Sequence, residues 1–418
     1  MTATADTRSD PTPGRVGGST GWLPVGLALF TVAWGGNQFT PLMVMYRELG
    51  GFSSAVVDVL LGAYVLGIVP GMLVGGPLSD RFGRKPLMLA APPIAILASL
   101  VLAVGGDVVA VLFVGRVLAG VALGIAMAVG STWISELSSL RGATASGGAS
   151  RAAMSLTLGF LLGPVAAGLL AQWAPWPEVL SYVVHVVVGI PLGLVALRTI
   201  ETLDRRQAPT RRLRDDLRIP IGEHREFRTV VAPIAPWVFT CAGVAYAVLP
   251  SLVARAVPGH AIAFAAVMTA LTLLAGFAAQ TVAKRLGLTD ARGGMLGQAF
   301  AVVGMGLAAV TAAWPGVALA VASATVLGVG YGFALVSGLA EVGRIAPSRH
   351  LAGLTAVFYA LAYLGFVVPA VLAVLSALVS YSVLFAGLAV IALACLLVDR
   401  SPGMMLWCSA AQMIWPCC

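Results

Sequence analysis

The charge-dense stretch Gly76-Pro77-Leu78-Ser79-Asp80-Arg81-Phe82-Gly83-Arg84-Lys85 combines one acid, three cations and two glycines. Gly83 permits the chain to reverse and Gly76 permits close approach of neighbouring helices. Such a turn can make and break ion pairs. Its basic residues have a simpler reading as anchors at a membrane face. Arg116 is a lone cation in the apolar run Arg116-Val117-Leu118-Ala119-Gly120-Val121-Ala122-Leu123-Gly124. It must face an interior partner or cavity, or snorkel to an interface. Asp58 is the lone carboxylate of another apolar run. A buried acid beside a movable guanidinium can take and release a proton as the cation withdraws and returns. Asp58 and Arg116 are therefore paired as candidates for proton coupling, the simpler reading of Asp58 being a helix-end residue. His185 is either titratable or a packed neutral histidine.

Enzyme chemistry finds no support. There is no phosphate loop and no nucleophile elbow. The histidines His185, His224, His260 and His350 fall in separate segments. The cysteines Cys241, Cys395, Cys408, Cys417 and Cys418 form no metal-type pair with histidine. Neither a catalytic site nor a metal or other cofactor is expected.

The elements that carry these residues follow from composition. The chain is 59% apolar and only 10% charged, against roughly 25% charged in soluble domains. A bilayer core of about 30 Å needs about 20 apolar residues in a helix. Apolar runs of that length begin with 22–45 and end with 378–398, twelve in all. The reading is an all-α membrane protein of twelve transmembrane helices, with lipid as its solvent. Residues 1–21 read as a disordered tail, 22–198 and 230–398 as two six-helix bundles, 199–229 as a basic linker, and 399–418 as a second tail. The run from Trp22 reads as an uncleaved helix.

Charge supports the count. If the N-terminus is cytoplasmic, 22 of the 25 Lys and Arg fall on cytoplasmic segments. Arg47 and Arg255 fall outside, and Arg116 lies within a helix. This positive-inside bias predicts a multi-pass cell-membrane protein with both termini cytoplasmic. The net charge of +8 is thus a topology signal and implies no nucleic-acid partner. The linker, including Arg211, reads as a solvated segment on anionic headgroups. The halves repeat: Glu136 and Pro164 recur 205 residues later as Glu341 and Pro369. A same-orientation repeat places a substrate site between the halves, near the midplane.

The stretch 76–85, between the second and third helices, resembles the signature loop of the major facilitator superfamily, G-x-L-x-D-R-x-G-R-[KR]. The resemblance extends over 22–398 through helix count, loop charge and repeat. It implies that Gly76, Asp80, Arg81, Gly83, Arg84 and Lys85 form a conformational latch. Asp80 would meet the positive N-terminus of helix eleven near Leu351, and Arg81 and Arg84 would pair with Glu136. The run 116–124 is similar to the family's R-x-x-x-G-x-x-x-G pattern in helix four. Gly159, Gly163, Pro164 and Gly168 resemble the helix-five motif of its drug:proton antiporters. Helices one, four, seven and ten line the cavity in this family, so Asn37, Gln38, Trp237, Tyr246 and Tyr331 become cavity candidates. Helix one lacks the carboxylate found in many proton-coupled exporters and offers Asn37 and Gln38 instead.

What this implies is a monomeric secondary transporter exporting a small organic molecule by alternating access, with proton antiport. Import of a sugar, amino acid or other metabolite, and a non-transporting sensor or scaffold, are the competing readings.

Overall fold

A computed structural model describes residues 21–203, 226–346 and 351–399. The tails and the linker core with Arg211, on which several expectations rest, lie outside the described residues. Among the described residues every regular element is a helix. Ten are long and apolar enough to cross a bilayer.

We number the rods by expected crossing. The first, α1, is broken at Gln38 into Leu23–Asn37 and Phe39–Glu48. Next come α2 (Ser54–Phe82), α3 (Arg84–Gly105), α4 (Val109–Ser139), α5 (Ala145–Trp173) and α6 (Leu180–Arg198). The second half holds α7 (Phe227–Leu252), α8 (Ala261–Leu286), α9 (Ala291–Ala313) and α10 (Val317–Ile345). Two rods complete it: α11, as Leu351–Tyr363 and Val368–Leu375 round a 3-10 turn, and α12 (Tyr381–Asp399). The ten crossings exclude α1 and α12, so the expected twelve rest on a broken first rod and a shorter last one.

Glycine sets the closest packing. On α2, Gly67 and Gly71 face Gly120 and Gly124 on α4, and a Cβ at Gly67 would lie 2.6 Å from the Val121 nitrogen. A Cβ at Gly120 or Gly124 would overlap the carbonyl of Tyr64 or Ile68. Without side chains the backbones themselves touch, the contact that replaces the hydrophobic effect between helices in lipid. The second half repeats the device where Gly276 of α8 meets α10 at Gly328 and Gly332. Large apolar residues such as Leu66, Val104, Val187 and Val390 are left on the outside, as lipid contact requires.

The rods define two faces. The latch face carries the turn at Gly83, whose φ of +108° suits glycine. The far face carries Arg47 and Asp58. Between the halves, α2 packs on α11, α5 on α8, and the end of α1 on α7 and α8. The repeat is inexact in backbone terms. Pro164 lies inside an unbroken α5, whereas Pro369 follows the 3-10 turn Leu364–Val367.

Candidate functional site

At the latch face, Arg84 gathers the charges. Its Nη1 donates to Asp80 and, at 2.7 Å, to Ser79 Oγ; its Nε and Nη2 reach Glu136 at 3.2 and 3.1 Å. Arg81 occupies the last turn of α2, where a cation suits the negative end of the helix dipole. Asp80 therefore faces Arg84 in this conformation. Residues 347–350, which precede the expected helix-eleven partner, lie outside the described residues. One expectation is corrected: a Cβ on Gly76 would meet nothing within 4 Å. Close approach is the work of Gly67 and Gly71, deeper in α2.

Glu201 is a residue that sequence reasoning missed. Its carboxylate accepts the backbone N–H groups of Arg84, Lys85, Thr202 and Leu203 at 2.9–3.0 Å. It thereby caps α3, where orphan N–H groups and the helix dipole both favour an anion. Thr202 Oγ donates to Glu136, and Trp133 Nε1 donates to the Ile200 carbonyl at 3.1 Å. The chain leaving α6 is thus clamped onto the latch turn. Glu201→Ala should lower the thermal midpoint of the purified protein by more than Glu201→Gln, whose amide oxygen still accepts. Loss of such a cap costs about 1 kcal/mol, and equal melting of the two variants would remove the capping role. The second half has a counterpart: Arg344 bonds Glu341 at 2.7 Å and Glu226 at 3.1 Å. The repeat read at Glu136 and Glu341 is thus expressed in each half as a glutamate paired with an arginine.

Arg116 is buried, at 1% exposure, and is held by backbone and aromatic faces. Its Nε donates to the Leu60 carbonyl at 3.1 Å and its Nη1 to the Gly36 carbonyl at 3.3 Å. Phe39 and Tyr64 flank its Cζ at 4.5 and 4.7 Å from their ring centroids. Interior placement holds and snorkelling does not. The expected neighbour is corrected: Asp58 pairs with Arg47, at 2.6 Å. Arg116 instead reaches Leu60, two residues beyond Asp58. Two residues turn a helix by roughly 200°, and that rotation sends the Asp58 side chain elsewhere.

The helix-five motif divides its contacts. Gly159 and Gly163 seat against Phe30 and Trp34 of α1, and Gly168 against Ala266 of α8 in the other half. Pro164 has no N–H, which orphans the Phe160 carbonyl one turn earlier. Asn37 Nδ2 donates to that carbonyl at 2.9 Å, and Thr40 Oγ donates to Asn37 Oδ1.

Asn37 is therefore committed to α5. Gln38 and Trp237 are corrected outright. Gln38 is buried and donates to Ser99, which meets His185, which meets the Thr31 carbonyl. This chain lies inside the first half and accounts for His185 as a packed residue. Trp237 sits in the second half's own core with Cys241, Val244 and Val248. Tyr331 and Tyr246 do reach the centre, in company the sequence reading omitted. Phe239 stacks on Tyr363 at 4.4 Å and on Phe366 at 4.8 Å. Tyr331 and Tyr246 border that stack, and Tyr64 closes it from the first half. Tyr359, Tyr363 and Phe366 recur at helical spacing on α11, a signal visible in the sequence.

Two repeated helical halves meeting round an aromatic centre, with ion-pair networks at both faces, define a polytopic all-helical protein whose rods are of membrane-crossing length. The chain belongs to the Major Facilitator Superfamily, whose description residues 25–321 match. It is 40% identical over 68 residues to the 3-(3-hydroxy-phenyl)propionate transporter of Escherichia coli (strain K12), covering 16% of this chain and 17% of that protein. It is 25% identical over 143 residues to Multidrug resistance protein 2 of Bacillus subtilis (strain 168), covering 34% and 35%. The matched segments thus span little more than a third of these relatives at most. A solved POT family transporter in complex with 5-aminolevulinic acid superposes with a TM-score of 0.72 over 90% of this chain and 94% of that one, at 12% identity. That likeness concerns the fold.

Proposed function

We propose that the protein exports a small amphipathic organic molecule across the cell membrane by alternating access, in exchange for protons. Both termini and the linker are placed on the cytoplasmic side, which makes the latch face the cytoplasmic one. The observation that carries this reading is the seam fastened at the far face. The ties described between halves lie at the centre and the far face, as in Gln172 Nε2 to the Gly259 carbonyl at 2.9 Å and the Tyr64–Tyr363 contact. The Arg84 and Arg344 networks each close within their own half. That arrangement suits one end state of an alternating-access transporter, with the far face closed. Export is supported by the helix-five glycines round Pro164 and by the multidrug resistance relative. An aromatic centre with few polar anchors suits an amphipathic substrate.

The test is a drug-sensitised strain expressing the chain. It should accumulate several-fold less of amphipathic compounds than a control, and a protonophore should restore accumulation. Unchanged drug accumulation alongside raised uptake of a sugar or an aromatic acid would overturn export in favour of import.

A further inference from the structure

Arg47 ends α1 and Asp58 lies just inside α2, both at the far face. Arg47 Nη2 meets Asp58 Oδ1 at 2.6 Å, with side chains 10% and 2% exposed. An ion pair this enclosed is held in one geometry far more firmly than a surface pair. Its second nitrogen, Nη1, crosses the seam and donates to the Ala247 carbonyl at 3.3 Å. Ala247 belongs to a π-helical turn of α7, Val244–Val248, and such turns recur at functional sites. Arg47 Nε is buried with no hydrogen-bond partner, so the guanidinium is not seated by a complete set of its own bonds. What holds it against α7 is the Asp58 carboxylate. The ionisable surroundings are simple. Tyr381, opening α12, is a titratable group that feels the charges of the pair. The Val368–Leu375 segment of α11, which packs along α2, carries none. Arg116 of α4 is turned to the Leu60 and Gly36 carbonyls.

We propose that Arg47 is the far-face gate of this transporter and that Asp58 is its positioning residue. Asp58, inside the first half, aims Arg47 across the seam, and the bond to Ala247 fastens the halves shut. When the halves part, the Ala247 carbonyl passes to water and Arg47 swings into the opened vestibule. Gln172 makes a second, uncharged fastening, accepting from the Ala263 N–H at 3.0 Å while donating to Gly259. Loss of the Arg47 bond alone therefore loosens the seam without abolishing closure. The inference rests on the alternating-access reading above, and its test needs no transported substrate.

The experiment is distance measurement between spin labels on the full chain in lipid nanodiscs. The labels replace Leu49 in the first half and Trp314 in the second, both well exposed at the far face. Native cysteines are replaced by serine. The parent should give mainly a short distance. Arg47→Gln and Asp58→Asn should each raise the long-distance population several-fold, and to a similar extent, because both lose the same aimed bond. Arg47→Lys should fall between, since it keeps the charge but not the fork. Gln172→Ala with Arg47→Gln should open the seam further than either change alone. If monodisperse Arg47→Gln and Asp58→Asn proteins gave the parent distribution, the gate would be overturned, whatever the protein transports. A shift in distances with no drug efflux would uphold the gate and remove the export reading instead.

Discussion

Replacing Gly120 by alanine is expected to destabilise the protein strongly, as the same change at its partner Gly67 would. The added Cβ would overlap the Tyr64 carbonyl and stand 2.9 Å from the Ile68 nitrogen and 3.1 Å from the Gly67 Cα. All three are backbone atoms of α2, so no side-chain rotation relieves the contact. Overpacking of this kind costs about 1–3 kcal/mol. The separation it forces also draws Leu60 away from Arg116. Gly76→Ala provides the control. Its Cβ enters open space, and alanine gains up to about 1 kcal/mol of helix propensity over glycine. Heating followed by size-exclusion chromatography should show a clear fall in midpoint for Gly120→Ala and none for Gly76→Ala. Equal midpoints would mean that α2 and α4 are not in backbone contact.

Arg116→Lys should be more damaging than Arg116→Met. Arginine offers a fork that serves two carbonyls on different helices and a flat cation that lies between two rings. Bonds of this charge-assisted kind are worth about 1.5–3 kcal/mol each, and each desolvated cation–π contact about 2. Those gains offset the cost of burying a charge. Methionine gives up the gains and the cost together, which is often nearly neutral for a buried ion. Lysine keeps a buried charge, is more strongly hydrated and reaches one carbonyl at most. The expected order of thermal midpoint is parent, Arg116→Met, Arg116→Lys. Transport should fall in both variants, because Gly36 precedes the break in α1 at Gln38 and Arg116 ties that break to α2 and α4. A lysine variant as stable as the parent would show that the fork is not needed.

Much of the architecture was legible before any coordinates. Depth in the bilayer is a one-dimensional property, and composition reports it directly. Runs of apolar residues, the positive-inside charge and the recurrence of Glu136 and Pro164 as Glu341 and Pro369 all survive projection onto a line. Rotation about each helix axis was not legible. The apolar character of these helices runs all the way round, so no polar stripe reports which face looks inward. Trp237 and Phe239 are both aromatic and two residues apart on α7, yet one fills the second half's core and the other the central stack. Asp58 and Leu60 divide in the same way between Arg47 and Arg116. Glu201 escaped notice because its partners are backbone N–H groups, which no side-chain motif announces.

The sequence by itself determined the solvent, the number of rods to be expected, their alternation across the membrane and the family. These follow from hydropathy, charge and one ordered turn, which are local. Tertiary structure decided which charge meets which. It gave Arg84 both Asp80 and Glu136, and gave Asp58 to Arg47 rather than to Arg116. It turned Asn37 from a cavity residue into the donor that Pro164 makes necessary. Each of those pairings depends on how two helices are rotated against each other, and that is settled by glycine-to-backbone contacts between residues far apart in the chain. The packing, not the pattern, assigns the partners.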